Sequence, residues 1–113
     1  MTILIKYPRQ TKKSNKVFFE KKELPVIVRS LDLLIENNIH EKIKITVILG
    51  LGYLYDEDIY NYRKYNITVL KNIINMAALL QKADIGITAN GRTLFEFAHF
   101  NVPCISLAQN ERE

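Results

Sequence analysis

A single cysteine in the chain excludes an internal disulfide. Only two histidines, His40 and His99, accompany it, so no Cys/His cluster has the spacing of a zinc site, and neither a metal nor another cofactor is expected. Long apolar runs are missing too: the longest, ITVILGLGYLY, is interrupted by two glycines and falls short of the roughly 20 residues of a membrane span. The opening MTILIKYPRQTKK places its apolar residues before its charges, the reverse of a secretory signal, which makes the cytoplasm the expected location. The chain has no GxGxxG fingerprint, P-loop or nucleophile elbow, and no nucleophile beside a base. No catalytic residue is therefore expected within it; these absences describe a chain equipped to bind rather than to react. Cys104, following Pro103 at the start of an apolar segment, reads as a buried small side chain rather than a reactive thiol.

What is present suits one domain spanning residues 1–113, with 48% hydrophobic and 25% charged residues. The net charge of +4 is concentrated at one end: residues 1–22 carry +6 and residues 23–113 carry −2. The basic loop 8–16 could attract an anionic surface. It has no glycines, interleaved aromatics or nucleic-acid motif, so nucleic acid is not expected as a partner.

Short apolar runs alternate with helical patterns. Thr2–Tyr7 reads as a strand, and Leu24–Asn38 as a helix with Pro25 in its first turn and Ile27, Leu31, Leu34 and Ile35 on one stripe. Ile43–Gly50, β-branched and apolar on both faces, is the clearest strand. DEDIYNYRKY reads as an exposed helix, NITVL as a strand, INMAALLQKA as a helix with Met76, Leu79 and Leu80 inward, DIGITA as a strand, RTLFEFAHF as a helix and PCISLA as the last strand. This alternation predicts an α/β fold of three layers, a parallel sheet with helices on both faces. Five of the six tyrosines fall between Tyr53 and Tyr65; half-buried packing and a stacking platform for a base are the two readings.

Ligands of open parallel sheets bind beyond the carboxyl ends of the strands, where this chain has the loops GLGY, ANGR and AQN. In the second, Gly91 would let backbone approach a ligand, and the amides of Gly91, Arg92 and Thr93 would form a helix start suited to phosphate, with the Thr93 hydroxyl and Arg92 cation adding to it. A plain helix cap by Asn90 or Thr93 is the alternative. Glu96, one turn on, projects from the same side as Thr93, where a carboxylate can accept two hydrogen bonds from a ribose diol; a surface glutamate stabilised by the helix dipole is the other reading. His99 fits a packed histidine better than a general base. Gln109 and Asn110 could bond a sugar or phosphate, or Asn110 could cap a helix beginning at ERE.

At these residues the sequence resembles a known pattern. NMAALLQKADIGITANGRTLFEFAHFNVPCISLAQNERE is similar to the nucleotide-sugar-binding C-terminal half of GT-B-fold enzymes. The nearest resemblance is to the UDP-sugar hydrolase of pseudaminic acid synthesis and related spore-coat and surface-polysaccharide proteins. A more distant one is to the N-acetylglucosaminyltransferase of lipid II synthesis. The shared run, aDlaIsagGsTlyElaxlGvPxIxxpxaxNQ, is matched by Ala83, Asp84, Gly91, Thr93, Glu96, Pro103 and Asn110. It covers about 40 residues, Ile73 to Glu113.

The resemblance implies a Rossmann-like half of a GT-B fold, truncated, that binds the donor nucleotide sugar of a hydrolase or glycosyltransferase in surface-glycan assembly. Gly91 and Thr93 would contact the diphosphate, Glu96 the ribose, Asn110 the sugar or phosphates, and backbone around Val69–Ile73 the uracil. The chain departs from the pattern at its first loop, where ILIKYPRQTKKSNK replaces a GGxD-like phosphate loop, and at Asn90, Arg92 and Glu111. The hydrolase's catalytic histidine belongs to an N-terminal domain this chain lacks, so that domain is an implied partner, in cis or in trans, and His40 and His99 do not inherit the role. Because a helix would follow QNERE in the family, the chain reads as a fragment of a larger binding unit, inactive alone. The alternative is a non-enzymatic nucleotide-binding or assembly module, a truncated or split-gene product able to form a homodimer.

Overall fold

The computed structural model describes residues 1–6, 26–50, 56–89 and 91–107. The basic loop 8–16 and the predicted helix start at Leu24 and Pro25 lie outside these residues. Five strands form one sheet: β1 (Thr2–Lys6), β2 (Lys44–Leu49), β3 (Thr68–Lys71), β4 (Ile85–Ala89) and β5 (Cys104–Leu107), in the order β3-β2-β1-β4-β5. Among the described residues four helices accompany them: α1 (Val26–Glu36), α2 (Asp56–Tyr60), α3 (Met76–Leu80) and α4 (Arg92–His99). Two 3₁₀ turns, Ile39–Glu41 and Asn61–Tyr65, follow α1 and α2.

The expected all-parallel sheet needs correction. β2 pairs parallel with β3 and β4 parallel with β5, but central β1 runs antiparallel to both of its neighbours, Leu4 facing Thr46 on one side and Gly86 on the other. A strand covered on both faces is apolar throughout whichever way it runs, so the residue pattern of β1 carries no direction. The expected helices on both faces are present. Ile3 and Ile5 point to one side, into a core completed by Ile27, Leu31 and Ile35 of α1, Ile59 of α2, and Tyr62 and Tyr65. Leu4 points to the other side, where Leu80 of α3, Phe97 of α4 and Val102 close a smaller core.

The element ends follow local chemistry. α1 stops where Asn38 takes a left-handed conformation (φ 57°) and the Asn37 side-chain amide donates to the Leu33 carbonyl at 2.7 Å. Asn66, Asn72 and Asn101 serve the same left-handed positions in a chain with few glycines. After α4, the Val102 amide donates to the Phe97 carbonyl at 3.0 Å and the Asn101 amide to that of Ala98 at 3.1 Å, which turns the chain into β5. α3 starts at Asn75, whose side chain accepts from the Ala78 amide at 3.2 Å.

DEDIYNYRKY is one short α-helix and one 3₁₀ turn, not a single exposed helix. Ile59, Tyr62 and Tyr65 are buried against the sheet, and the Tyr62 hydroxyl donates to Asp32 of α1. Burial raises the Tyr65 phenol above its ordinary pKa, and the negative charge of Asp32 adds to the shift. For Tyr62 and Tyr65 the packing reading therefore holds; Tyr53 and Tyr55 lie outside the described residues.

Candidate functional site

Because β1 opposes the other four strands, the carboxyl ends of β2, β3, β4 and β5 lie along one edge, with Thr2 among them opposite Ile48 and Thr88. The helices change faces at this strand: α1 and α2 pack on one side, α3 and α4 on the other. In open α/β sheets such a reversal marks where ligands bind, beyond the carboxyl ends of the strands. Of the three loops expected there, GLGY is described only at Gly50 and AQN not at all. Asn90 and Asn110 likewise lie outside the described residues.

The loop after β4 is described from Gly91. This residue has φ 149° and ψ −160°, a backbone region essentially confined to glycine. Among the described residues, leaving aside its chain neighbours, no heavy atom lies within 4 Å of the position a Cβ would take. Gly91 is the N-cap of α4, and among the described residues no side-chain cap bond is made at this helix start; of the two caps offered as the plainer reading, Asn90 lies outside the described residues. The first turn closes through the Leu94 amide, which donates to the Gly91 carbonyl at 3.2 Å.

α4 carries the other candidates. Arg92 is exposed, while Thr93 and Glu96, three residues apart on one side of the helix, are half-buried. Arg92 and Glu96 have opposite charges four residues apart, yet no ion pair joins them. The helix is held by Phe97, fully buried, whose ring lies against Gly86 of β4: a Cβ added there would sit 2.3 Å from the ring tip. Gly86 therefore allows α4 to approach the sheet closely, which sets the height of Thr93 and Glu96 above it. The aromatic neighbours do not all shield Glu96: Phe100 is half-buried, but Phe95 is 73% exposed.

Other candidates fall elsewhere. His99 is exposed at the far end of α4, its ring edge-on to Phe100 at 5.1 Å, so the packed position expected for it is not observed. His40 is buried edge-on to Tyr65. Cys104 is half-buried beside the smaller core, and burial pushes its thiol pKa up, which leaves less thiolate at neutral pH than an open cysteine has. Val69 to Ile73, the segment implied to hold a base, is half-buried except for exposed Asn72, and Ile74 beyond it projects fully into solvent. This segment comprises the last three residues of β3 and the two that follow it, three strand positions from β4. A ligand touching both ends would reach across roughly 14 Å, at about 4.8 Å per strand.

Two residues at this edge were not anticipated. Thr2 and Thr88 are buried polar side chains on the face that α4 covers, their hydroxyls 3.5 Å apart. The one signal available for Thr88 was a hydroxyl near the end of the otherwise apolar IGITA. Among the described residues, no group of three or more His, Cys, Asp or Glu could hold a metal ion, and no helix is long and apolar enough to cross a membrane.

No family model matches the chain, and no solved structure matches it. Over 72 residues, 59% of its length, the chain is 38% identical to an uncharacterised protein of Methanocaldococcus jannaschii. It spans 15% of that relative's length.

Proposed function

We propose that the chain is the donor-binding part of a protein that takes a nucleotide sugar, with a uridine diphosphate as the preferred carrier. The fold half this implies is the Rossmann-like, nucleotide-binding one of a GT-B enzyme of surface-glycan assembly. One observation carries the reading: a helix start at the carboxyl edge, led by a glycine in a glycine-only conformation, with no described residue beyond its chain neighbours within 4 Å of where a side chain would begin. Backbone amides at such a start, aided by the helix dipole, accept a phosphate. Thr93 adds a hydroxyl donor, and Glu96, one turn further and without an ion-pair partner among the described residues, is placed for a ribose diol. In a reaction that cleaves the sugar–diphosphate bond, the same amides would stabilise the charge growing on the leaving phosphate. The attacking group and its base would come from another domain.

A thermal-shift panel of UDP-, CMP- and GDP-sugars tests this. Uridine nucleotides are expected to raise the melting temperature of the wild type, and Glu96→Ala to abolish the shift while leaving the unliganded melting temperature nearly unchanged. No shift at millimolar nucleotide, or an equal shift in the variant, would overturn the assignment.

A second reading, a non-enzymatic assembly module, is favoured by a different observation. On the α1 side of the sheet, Ile85 and Ile105 are 39% and 52% exposed on adjacent strands. A second copy docking there would bury both. Gel filtration with light scattering is expected to give a dimer that Ile105→Lys converts to monomer; a strict monomer at high concentration would remove this reading.

A further inference from the structure

At the edge opposite Gly91 lies a cavity of about 240 Å³, formed where β1 ends, β2 begins and α3 passes into β4. Leu4, Leu79 and Ala83 supply an apolar wall, and Lys6, Lys44 and Lys82 all line the same space with Thr46. We propose that this cavity binds a phosphate monoester carrying a short apolar group.

The placement of the lysines is what calls for a ligand. Lys6 and Lys44 are register partners, directly opposite each other on adjacent antiparallel strands. Like charges so placed destabilise a strand pair, and nothing in the folding of β1 onto β2 requires them. Lys82 is a third lysine lining the same hollow. Asp84 lies 3.5 Å from Lys6. Neither Lys44 nor Lys82 has an acidic partner among the described residues. A dianionic phosphate facing these ammonium groups would turn the repulsion into charge-assisted hydrogen bonding, with the Thr46 hydroxyl as a further donor. The wall of Leu4, Leu79 and Ala83 suits a few carbon atoms beyond the ester oxygen. The volume is below the roughly 300 Å³ at which pockets for drug-sized ligands begin, so a whole nucleotide sugar is not the occupant. The site is separate from the α4 start and does not depend on the function proposed for it.

Isothermal titration of the whole chain at low salt with n-butyl phosphate, inorganic phosphate and butanol reads this directly. The ester is expected to bind more tightly than inorganic phosphate, and butanol not at all. Lys44→Gln and Lys82→Gln are each expected to weaken the ester by about tenfold or more, as loss of a charged hydrogen bond does. Asp84→Asn, which releases Lys6, should tighten it. UDP should leave the ester's affinity unchanged, which separates this result from success or failure at the Gly91 loop. Vesicles of phosphatidylcholine with and without phosphatidic acid identify the source. Binding to the acidic vesicles in preference to the soluble ester, lost in the same two variants, points to a lipid headgroup; binding to the soluble ester alone points to a metabolite. Melting curves confirm that each variant is folded. The proposal fails if no phosphate compound binds the folded wild type at millimolar concentration, or if Lys44→Gln and Lys82→Gln bind as the wild type does.

Discussion

Replacing Phe97 with alanine is expected to remove about 3–5 kcal/mol of stability, a large share of the roughly 5–15 kcal/mol that a domain of this kind possesses. Its ring is fully buried and is the largest side chain in the smaller core, which otherwise rests on Leu4, Ile48, Leu80 and Val102. The converse change, Gly86→Ala, adds one methyl group where the Phe97 ring already stands, at 2.3 to 2.7 Å from three ring carbons. A buried ring packed on all sides has nowhere to go, so overpacking of about 1–3 kcal/mol or more is expected. Urea denaturation of Gly86→Ala, Phe97→Leu and the double variant tests the contact. The double variant should be more stable than the sum of the single losses predicts, because leucine vacates the space the methyl group needs. Strict additivity would show that the contact does not limit the approach of α4.

The second large effect belongs to β1. Ile3 is fully buried in the larger core, and truncation to alanine is expected to cost about 2–5 kcal/mol. Ile105→Ala, on the exposed face of an edge strand, should stay within about 0.5 kcal/mol. The comparison tests the topology, because β2 and β4 each pair with β1 and not with each other. Hydrogen exchange offers an independent check: the amides of Ile3, Leu4 and Ile5 should be among the slowest, exchanging only with global unfolding. Equal costs for the two alanine variants, or fast exchange in β1, would contradict a central β1.

These two strands also show how much of the fold could be read from residues alone. The positions and inward faces of α1 and α3 followed from period, since Ile27, Leu31 and Ile35 recur at helical spacing and are buried. β2 and β4 were legible as apolar, β-branched runs. The direction of β1 was not, because direction is decided by the connection and by pairing partners distant in sequence. The break in DEDIYNYRKY also escaped: the charges fitted one continuous helix, but burying Ile59, Tyr62 and Tyr65 together brings in a tighter turn after Tyr60. At the candidate site, Gly91 was singled out for access and proves to be in a conformation few other residues tolerate. Thr93 and Glu96, three residues apart, share one side of α4. The Phe97–Gly86 contact that positions them was illegible, because a glycine in an apolar strand does not announce which distant ring rests on it.

The central position of β1 also governs the order in which the molecule can be assembled in time. Thr2 meets Thr88 across a separation of 86 residues, whereas β2 with β3 and β4 with β5 pair between neighbouring segments. During synthesis β1 precedes both of its neighbours, and its second edge stays open until β4 has been made. Loop closure over such a distance is slow compared with local pairing, so a growing chain holds a bare apolar strand edge until β4 has been made. A chaperone that shields short apolar strands on nascent chains should therefore associate with this protein early and leave only once β4 has emerged.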